Sequence, residues 1–367
     1  MTDTPRRGGP AAALRIRLVD VAREAGLSKT TVSAALNGTG RMSDAVRERA
    51  REAARRLGYR PNATARLLRA GHARLIGYVV GEFANEPGSY MSSPYFAQLT
   101  SATATAALRH GYALVLLPAR CGPEEWADLP LDAAIVADPL DDDPLVEDFV
   151  AAGIPLFTDR SVEGRPGTHW VDVDADAAVR EVLDHLREQG ARRPAVVLPG
   201  TVTRFHRAVT DSYRRWCGGH GTPPRLVHTG GPGDGAVVAA VEDLLAGPGT
   251  GPDALFVLAE ASPPLVLDAV HRAGLRVPED LLLVCASEDA SAAHTHPPVT
   301  TLSLRPALIA EKGIELLMAA LESGSREPTG AVVPTRLELR ASSLAARGPG
   351  GPAARGRAAG GDRAGRA

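Results

Sequence analysis

The sequence has few cysteines and no long hydrophobic run. Its 367 residues include only Cys121, Cys217 and Cys285, and no two of them form a CxxC pair. This spacing argues against a disulfide framework or a zinc site and favours buried free thiols. No run approaches the ~18 apolar residues of a membrane span, and the N-terminus lacks the apolar segment of a signal peptide. We therefore expect a soluble, cytoplasmic protein with no membrane partner.

Signatures of catalysis are also missing. The sequence contains no GxSxG, HExxH or P-loop motif. His294 and His296 are two residues apart, but no other His or Cys is near them in sequence, so a solvated loop is the better interpretation. We therefore expect a protein that is not an enzyme and that holds no cofactor and no metal.

The charge that is present is unevenly distributed. The formal net charge is −2, but residues 1–74 hold 16 Lys+Arg against 6 Asp+Glu, a net of +10 that leaves −12 on the remainder. A basic N-terminal segment, the basic head of residues 1–74, followed by an acidic remainder is expected when only the head contacts nucleic-acid phosphates. With one domain per ~150 residues, the chain is long enough for more than one domain.

The basic head is organised around the stretch from Leu18 to Asn37. Two short amphipathic helices fit it, and the apolar residues of each share one face: Val21, Ala22 and Ala25, then Val32, Ala35 and Leu36. Gly26 supplies the positive φ of a sharp turn, and Ser28 can cap the second helix. Polar or small residues occupy the other face of that second helix: Lys29, Thr30, Thr31, Ser33 and Ala34. The pattern predicts a helix-turn-helix, with a solvated helical hairpin as the alternative.

Two further segments follow in the head. Ser43 opens a third helix with one apolar stripe, and Gly58 ends it. Pro61 then breaks the chain, and a short helix is expected over residues 62–70. Such a helix is too short to be stable alone in water, so it either folds on meeting a partner or is a linker.

Several of these motifs resemble the LacI/GalR family of bacterial transcriptional regulators. The similar strings are Val19-Asp20-Val21-Ala22, Gly26, Thr31-Val32-Ser33, Leu36-Asn37-Gly38 and Leu57-Gly58-Tyr59-Arg60-Pro61-Asn62. The resemblance implies a homodimer on a palindromic double-stranded operator, with residues 62–70 as a hinge helix whose Leu68 wedges into the minor groove. It also implies that Lys29 and Thr30 read bases, whereas Ala34 stands where a third reader is often arginine.

The DNA-binding set predicted in this way covers both segments. Its members are Ser28, Lys29, Thr30, Thr31, Ser33, Ala34, Asn37, Asn62, Ala65, Arg66 and Leu68. Alanine at position 34 can touch a thymine methyl but cannot donate a bidentate hydrogen bond to guanine. We therefore expect an operator that differs from the commonest half-site of the family.

From Leu75 onward, strand and helix patterns alternate, which predicts two parallel sheets covered by helices. The expected second-lobe elements include a helix over Asp211–Cys217, and the expected crossovers between the lobes are Val171–Asp174 and Pro298–Thr301. One last strand is expected over Val332–Leu339, and one first-lobe helix should be abbreviated between Leu117 and Ala133. The fold class is thus a small all-α head plus a two-lobed α/β domain, which resembles periplasmic sugar-binding proteins.

In such folds the ligand binds at the carboxyl ends of the strands, in the cleft between the lobes. The expected effector-binding residues are Tyr95, Phe96, Asp159, Arg160, Glu260 and Ser287. The sugar-clamping groups of the family are largely replaced, because Val209, Ala259 and Ser287 stand where it carries arginine, asparagine and aspartate. An ordinary sugar effector is therefore disfavoured. The lobes either bind a small-molecule effector, a sugar or another metabolite, or serve dimerisation alone.

The expected domain boundaries follow from these patterns. Residues 1–14 and 347–367 are read as disordered, 16–71 as the DNA-binding domain and 74–342 as the effector-binding and dimerisation domain. The function expected is a DNA-binding repressor controlled by a small molecule. A solute-binding protein is a remote alternative, since it would need an export signal and no basic head.

Overall fold

The computed structural model describes residues 16–59, 72–81, 89–118, 126, 128–140, 142–162, 165–200, 203–231, 233–247 and 249–345. Contacts divide the chain into two units between Ala73 and Arg74. The expected disordered ends, the hinge helix with Asn62, Ala65, Arg66 and Leu68, and Cys121 lie outside the described residues.

The described part of the first unit, residues 16–59 with 72 and 73, contains three helices: α1 (Leu18–Ala25), α2 (Lys29–Leu36) and α3 (Asp44–Leu57). Val21, Val32 and Ala50 are fully buried where these helices meet, as the apolar stripes predict. Gly26 adopts φ 59°, so the turn between α1 and α2 uses the left-handed region that glycine enters at low cost. The predicted helix-turn-helix and its third helix are therefore present.

The second unit contains two six-stranded sheets, each the centre of one lobe. The first sheet has the order β11-β5-β4-β3-β1-β2 and the second β12-β10-β9-β8-β6-β7. The strands are β1 (Leu75–Val80), β2 (Ala113–Leu116), β3 (Ala133–Ala137), β4 (Leu156–Thr158), β5 (Thr168–Val173), β6 (Pro194–Leu198), β7 (Arg225–His228), β8 (Ala254–Val257), β9 (Leu282–Ala286), β10 (Thr300–Ser303), β11 (Thr329–Val333) and β12 (Arg336–Glu338).

Helices cover the sheets, so the central strands are almost wholly buried. They are α4 (Pro94–Arg109), α5 (Pro144–Ala151), α6 (Ala175–Glu188), α7 (Arg204–Gly219), α8 (Asp234–Ala246), α9 (Pro263–Arg272) and α10 (Pro306–Ser323). Every residue of β3, β6, β8 and β9 is buried, which explains their continuous apolar sequences. No helix in the described parts of the chain is both long and apolar enough to span a bilayer.

Four predicted elements need correction. Helix α7 begins at Arg204, seven residues before the expected Asp211, because Thr203 caps it and accepts a hydrogen bond from the His206 N–H. The segment expected as a crossover at Val171–Asp174 is mostly β5, a parallel strand of the first sheet. Likewise Thr300–Ser303 is strand β10 of the second sheet, so the chain crosses back after it.

The single strand expected over Val332–Leu339 is also wrong. Strand β11 ends at Val333 in the first sheet, and β12 begins at Arg336 in the second, where it runs antiparallel to β10. Pro334 lies between them and has no N–H for a ladder hydrogen bond, which is consistent with a break at this point. The sheets are therefore parallel except for β12.

Candidate functional site

The second helix of the first unit starts on a side-chain cap. The Thr31 N–H donates to Ser28 Oγ at 3.0 Å, and the hydroxyls of Thr30 and Thr31 lie 2.8 and 2.7 Å from the same oxygen. This cap satisfies a free N–H at the helix start and fixes where α2 begins. Ser28 is thus a positioning residue for the face that follows.

The described members of the predicted DNA-binding set all lie on or beside α2. Ser28, Lys29, Thr30 and Asn37 are exposed, whereas Thr31, Ser33 and Ala34 are half-buried. Asn37 ends the helix, and its Nδ2 donates to Ser33 Oγ at 3.4 Å. The helix therefore presents a short polar surface with one cation, Lys29, at its first position.

The second unit contains a cavity of about 420 Å³ between the two lobes. It lies where several strands of both sheets end at their carboxyl termini, the usual ligand position in such folds. Five of the six predicted effector residues line it: Tyr95, Phe96, Arg160, Glu260 and Ser287. Asp159, the sixth, was expected to line the cavity but does not. It is fully buried behind the residues that form the cavity wall.

Asp159 organises the first-lobe wall of the cavity. Its Oδ2 accepts from the Tyr95 hydroxyl at 2.8 Å, and its Oδ1 accepts from the Asp138 N–H. Burial, together with the like charge of Asp138, raises the pKa of Asp159 to about 6, although Arg160 opposes this. Asp159 therefore fixes the side chains that face the ligand position rather than meeting a ligand itself.

Arg160 crosses the cavity between aromatic rings. Its guanidinium carbon lies 5.2 Å from the ring centre of Tyr95 and 4.9 Å from that of Phe205, which belongs to the other lobe. Its nitrogens lie 3.8 and 3.7 Å from the carboxylates of Asp138 and Asp159. The charge of Arg160 is thus compensated by its own lobe, while its flat face contacts the opposite lobe.

Glu260 also links the lobes. It lies beyond β8 of the second lobe, and its Oε1 accepts from the Tyr95 N–H at the start of α4, at 3.0 Å. Burial raises the pKa of Glu260, while hydrogen bonds from Ser93 and Tyr95 act against the shift. A nearby contact has the same direction, since Gln98 Nε2 of the first lobe donates to the Glu288 carbonyl of the second lobe at 3.2 Å.

The replaced family positions are explained by packing. Val209 is buried in the core, and Tyr213 is fully buried with its hydroxyl donating to the Pro194 carbonyl at 2.8 Å. Val209 therefore offers no polar side-chain group to the cavity, and the Tyr213 hydroxyl is used within the second lobe. Ala259 lines the cavity but supplies only a methyl group.

Sequence reasoning missed several lining residues, including Phe205, Asp138 and Asp234. Asp138 directly follows β3, so the rule that ligands bind at carboxyl ends of strands could have found it. Phe205 and Asp234 lie at the starts of α7 and α8. Phe205 was missed because the sequence predicted that α7 begins only at Asp211. In the described part of the chain, no group of three or more His, Cys, Asp or Glu side chains could hold a metal ion.

Two family models match the chain. Residues 17–62 match the bacterial regulatory proteins of the lacI family, and residues 183–343 match a periplasmic binding protein-like domain. The HTH-type transcriptional regulator PtxS of Pseudomonas putida is 30% identical over 301 residues, covering 78% of this chain and 83% of PtxS. The HTH-type transcriptional regulator CelR of Thermobifida fusca is 28% identical over 333 residues, covering 88% of this chain and 96% of CelR.

Solved structures agree with this assignment. A CelR–cellobiose complex is 26% identical with a TM-score of 0.64, covering 89% of this chain and all of that one. A lac repressor dimer bound to operator and an anti-inducer has the same fold, with a TM-score of 0.77 at 22% identity over 90% of this chain and 99% of that one. The fold and the helix-turn-helix thus define a DNA-binding transcriptional regulator. The chain belongs to the lacI family of bacterial regulatory proteins, as its motifs predicted.

Proposed function

We propose that this regulator is a repressor that binds a palindromic operator as a homodimer, with α2 of each protomer in the major groove. The observation that carries the proposal is the capped helix α2, which exposes Lys29 and Thr30 on a basic head. Lysine can donate to guanine, and a threonine methyl or hydroxyl can contact either base pair. Two copies related by a two-fold axis would read two half-sites.

The proposed dimer is supported by exposed apolar residues on the first lobe. Leu108 on α4 is 65% exposed, and Leu116 on the edge strand β2 is 50% exposed. Strand β2 is an edge of the sheet as described, and an edge strand can pair with another chain. The solved lac repressor, which shares the fold, is a dimer on its operator.

We also propose that a small molecule bound in the interlobe cavity controls DNA binding. The support is the position of the cavity at the carboxyl ends of the strands and the CelR relative, whose solved complex contains cellobiose. A ligand can shift the DNA equilibrium only by binding one lobe arrangement more tightly than another. An inducer must therefore prefer the DNA-free form, and a corepressor the DNA-bound form.

A second candidate is a regulator whose lobes serve dimerisation alone. It is favoured by the contacts with which protein groups themselves bridge the cavity, namely Arg160 on the Phe205 ring and Glu260 on the Tyr95 N–H. These contacts could hold the lobes together in a single arrangement. The two candidates differ in one respect, which is whether any small molecule changes operator affinity.

The experiment is selection of bound duplexes from a random pool by the full-length protein, followed by fluorescence anisotropy on the selected site. We expect a palindromic site bound at least tenfold more tightly than a scrambled duplex at the same salt. A pool that shows no enrichment would remove the repressor proposal. Repeating the titration with sugars, nucleosides and amino acids separates the two candidates, because a change in affinity supports an effector and none supports dimerisation alone.

A further inference from the structure

We propose that the effector is a cation, an amine-bearing small molecule that binds in the interlobe cavity beside Glu260 and Asp234. The inference rests on the proposed role of that cavity and specifies the chemical class of its ligand. It follows from the charge, the hydrogen-bond partners and the aromatic walls of the cavity.

The lining of the cavity is strongly acidic. Five acidic residues line it: Asp138, Asp234, Glu260, Glu288 and Asp289. Among the described lining residues, Arg160 is the one arginine or lysine, and Asp138 and Asp159 already compensate its charge. Among the described residues, the other four, Asp234, Glu260, Glu288 and Asp289, therefore have no paired cation.

The described partners of those four carboxylates are neutral donors. Asp234 Oδ1 accepts from the Ser262 N–H at 2.9 Å, and Asp289 Oδ2 accepts from the Ser262 hydroxyl at 3.1 Å. Glu288 accepts from the Ser303 hydroxyl and the Leu304 N–H, as Glu260 does from the Tyr95 N–H. Backbone N–H and hydroxyl groups satisfy hydrogen bonding but cancel no net charge, so the like charges still repel.

Partial burial makes this repulsion stronger than it would be in water. Clefts lined by one sign of charge and by low-dielectric walls concentrate their field on a ligand of the opposite sign. The pKa of Glu260 is raised first by burial and also by the neighbouring charges of Asp138 and Glu288, as expected for such a site. A cation would relieve the repulsion, an anion would increase it, and a neutral sugar would leave it unchanged.

The aromatic walls fit the same ligand class. Tyr95, Phe96 and Phe205 line the cavity, and the face of an aromatic ring attracts a positive charge. The protein already uses this attraction, since the Arg160 guanidinium lies 4.9 Å from the Phe205 ring centre. An amine on a short aliphatic or sugar frame would find carboxylates on one side and aromatic surface on another.

The test compares ligands of one size and different charge on the full-length protein. Glucosamine, glucose and glucuronate supply a cation, a neutral molecule and an anion on the same ring. Spermidine, a polyamine, and choline, a quaternary ammonium ion, supply cations without a sugar. Isothermal titration near neutral pH should show at least one amine bound ten times more tightly than glucose or glucuronate. Its affinity should fall as salt is added, because the attraction is screened.

Two variants test the location. Glu260→Gln and Asp234→Asn remove a charge but keep an acceptor oxygen for the Tyr95 and Ser262 N–H groups, so the fold should survive. Each should weaken amine binding by at least tenfold, whereas Glu181→Gln, which alters an exposed carboxylate on α6, should not. Thermal unfolding of each variant checks that it is folded.

Three outcomes overturn the inference: tighter binding of glucose or glucuronate, no binding of any of these amines at millimolar concentration, or amine binding that both variants retain. The regulator itself is judged separately, by anisotropy on its selected duplex in the absence of ligand. Retained duplex binding with no amine binding contradicts only the ligand class. Loss of duplex preference contradicts the proposed repressor.

Discussion

Lys29 and Lys312 are the two lysines of the chain, so a substitution of Lys312 can serve as the control for one of Lys29. Lys29 is exposed at the start of α2, whereas Lys312 lies on α10 and pairs with Glu315 at 2.9 Å. We expect Lys29→Ala to weaken binding to the selected duplex by about 1–3 kcal/mol, because a base contact is lost. Lys312→Ala should leave it unchanged. Equal affinities in fluorescence anisotropy would remove Lys29 from the base-reading set.

Asp159 should make stability depend on pH. Its pKa is 3.8 in the unfolded chain and about 6 when folded, because burial disfavours the charged carboxylate. Between these values the folded state binds more protons than the unfolded state, so this contribution is full below 3.8 and is lost as pH rises through about 6.

Urea unfolding across that pH window measures the effect. Asp159→Asn should reduce the change in unfolding free energy across this pH window by at most about 3 kcal/mol, since one pKa unit corresponds to about 1.4 kcal/mol. Asp268→Asn, which changes an exposed carboxylate on α9, should leave the slope as it is. An identical slope in the wild type and in Asp159→Asn would show that another group titrates.

At the scale of elements, helix α10 approaches the first sheet closely because it carries glycine at position 313. A Cβ built there would lie 2.1–2.4 Å from three ring atoms of Phe157 on β4. We expect Gly313→Ala to destabilise the protein by about 1–3 kcal/mol through overpacking. The measurement is the urea midpoint of the full-length protein.

The control for this substitution is a helical glycine with open space. Gly218 in α7 has no atom within 4 Å of a built Cβ, so Gly218→Ala should be neutral or slightly stabilising. If both variants unfold at the same urea concentration, the close approach of α10 to β4 does not limit stability.

At the scale of the whole molecule, dimerisation should depend on one edge of the first sheet. Strand β2 and strand β11 are its opposite edges, and Leu116 and Val332 are 50% and 59% exposed on them. We expect Leu116→Asp to weaken the proposed dimer at least tenfold, since a charge would replace buried apolar surface. Val332→Asp should not.

Sedimentation of the full-length variants as a function of concentration gives the dimer dissociation constant. A tenfold change corresponds to about 1.4 kcal/mol, slightly less than the ~1.5–3 kcal/mol expected for fully burying one leucine side chain. Retained dimerisation in Leu116→Asp would place the interface elsewhere. A monomer produced by Val332→Asp alone would move it to β11.

Much of this regulator could be predicted from local sequence. The helix-turn-helix follows from apolar residues at helical spacing, a glycine at the turn and a serine at the cap, all of which act within a few residues. The same is true of the buried strands, whose continuous apolar runs distinguish them from loops. These features carried the resemblance to the family. Of the five predicted effector residues that line the cavity, Arg160, Glu260 and Ser287 lie just after strand ends, whereas Tyr95 and Phe96 lie at the start of α4.

Only the tertiary structure showed which side chains act together. Asp159 meets Tyr95 across 64 positions of sequence, and Glu260 meets the Tyr95 N–H across 165, distances at which no local pattern carries information. The crossings between the lobes were misplaced for the same reason, since the sheet that a strand joins depends on its neighbours in space. The sequence alone determined the local elements, because short-range sterics and hydrogen bonding set them. The acidic, aromatic cavity was decided by long-range packing.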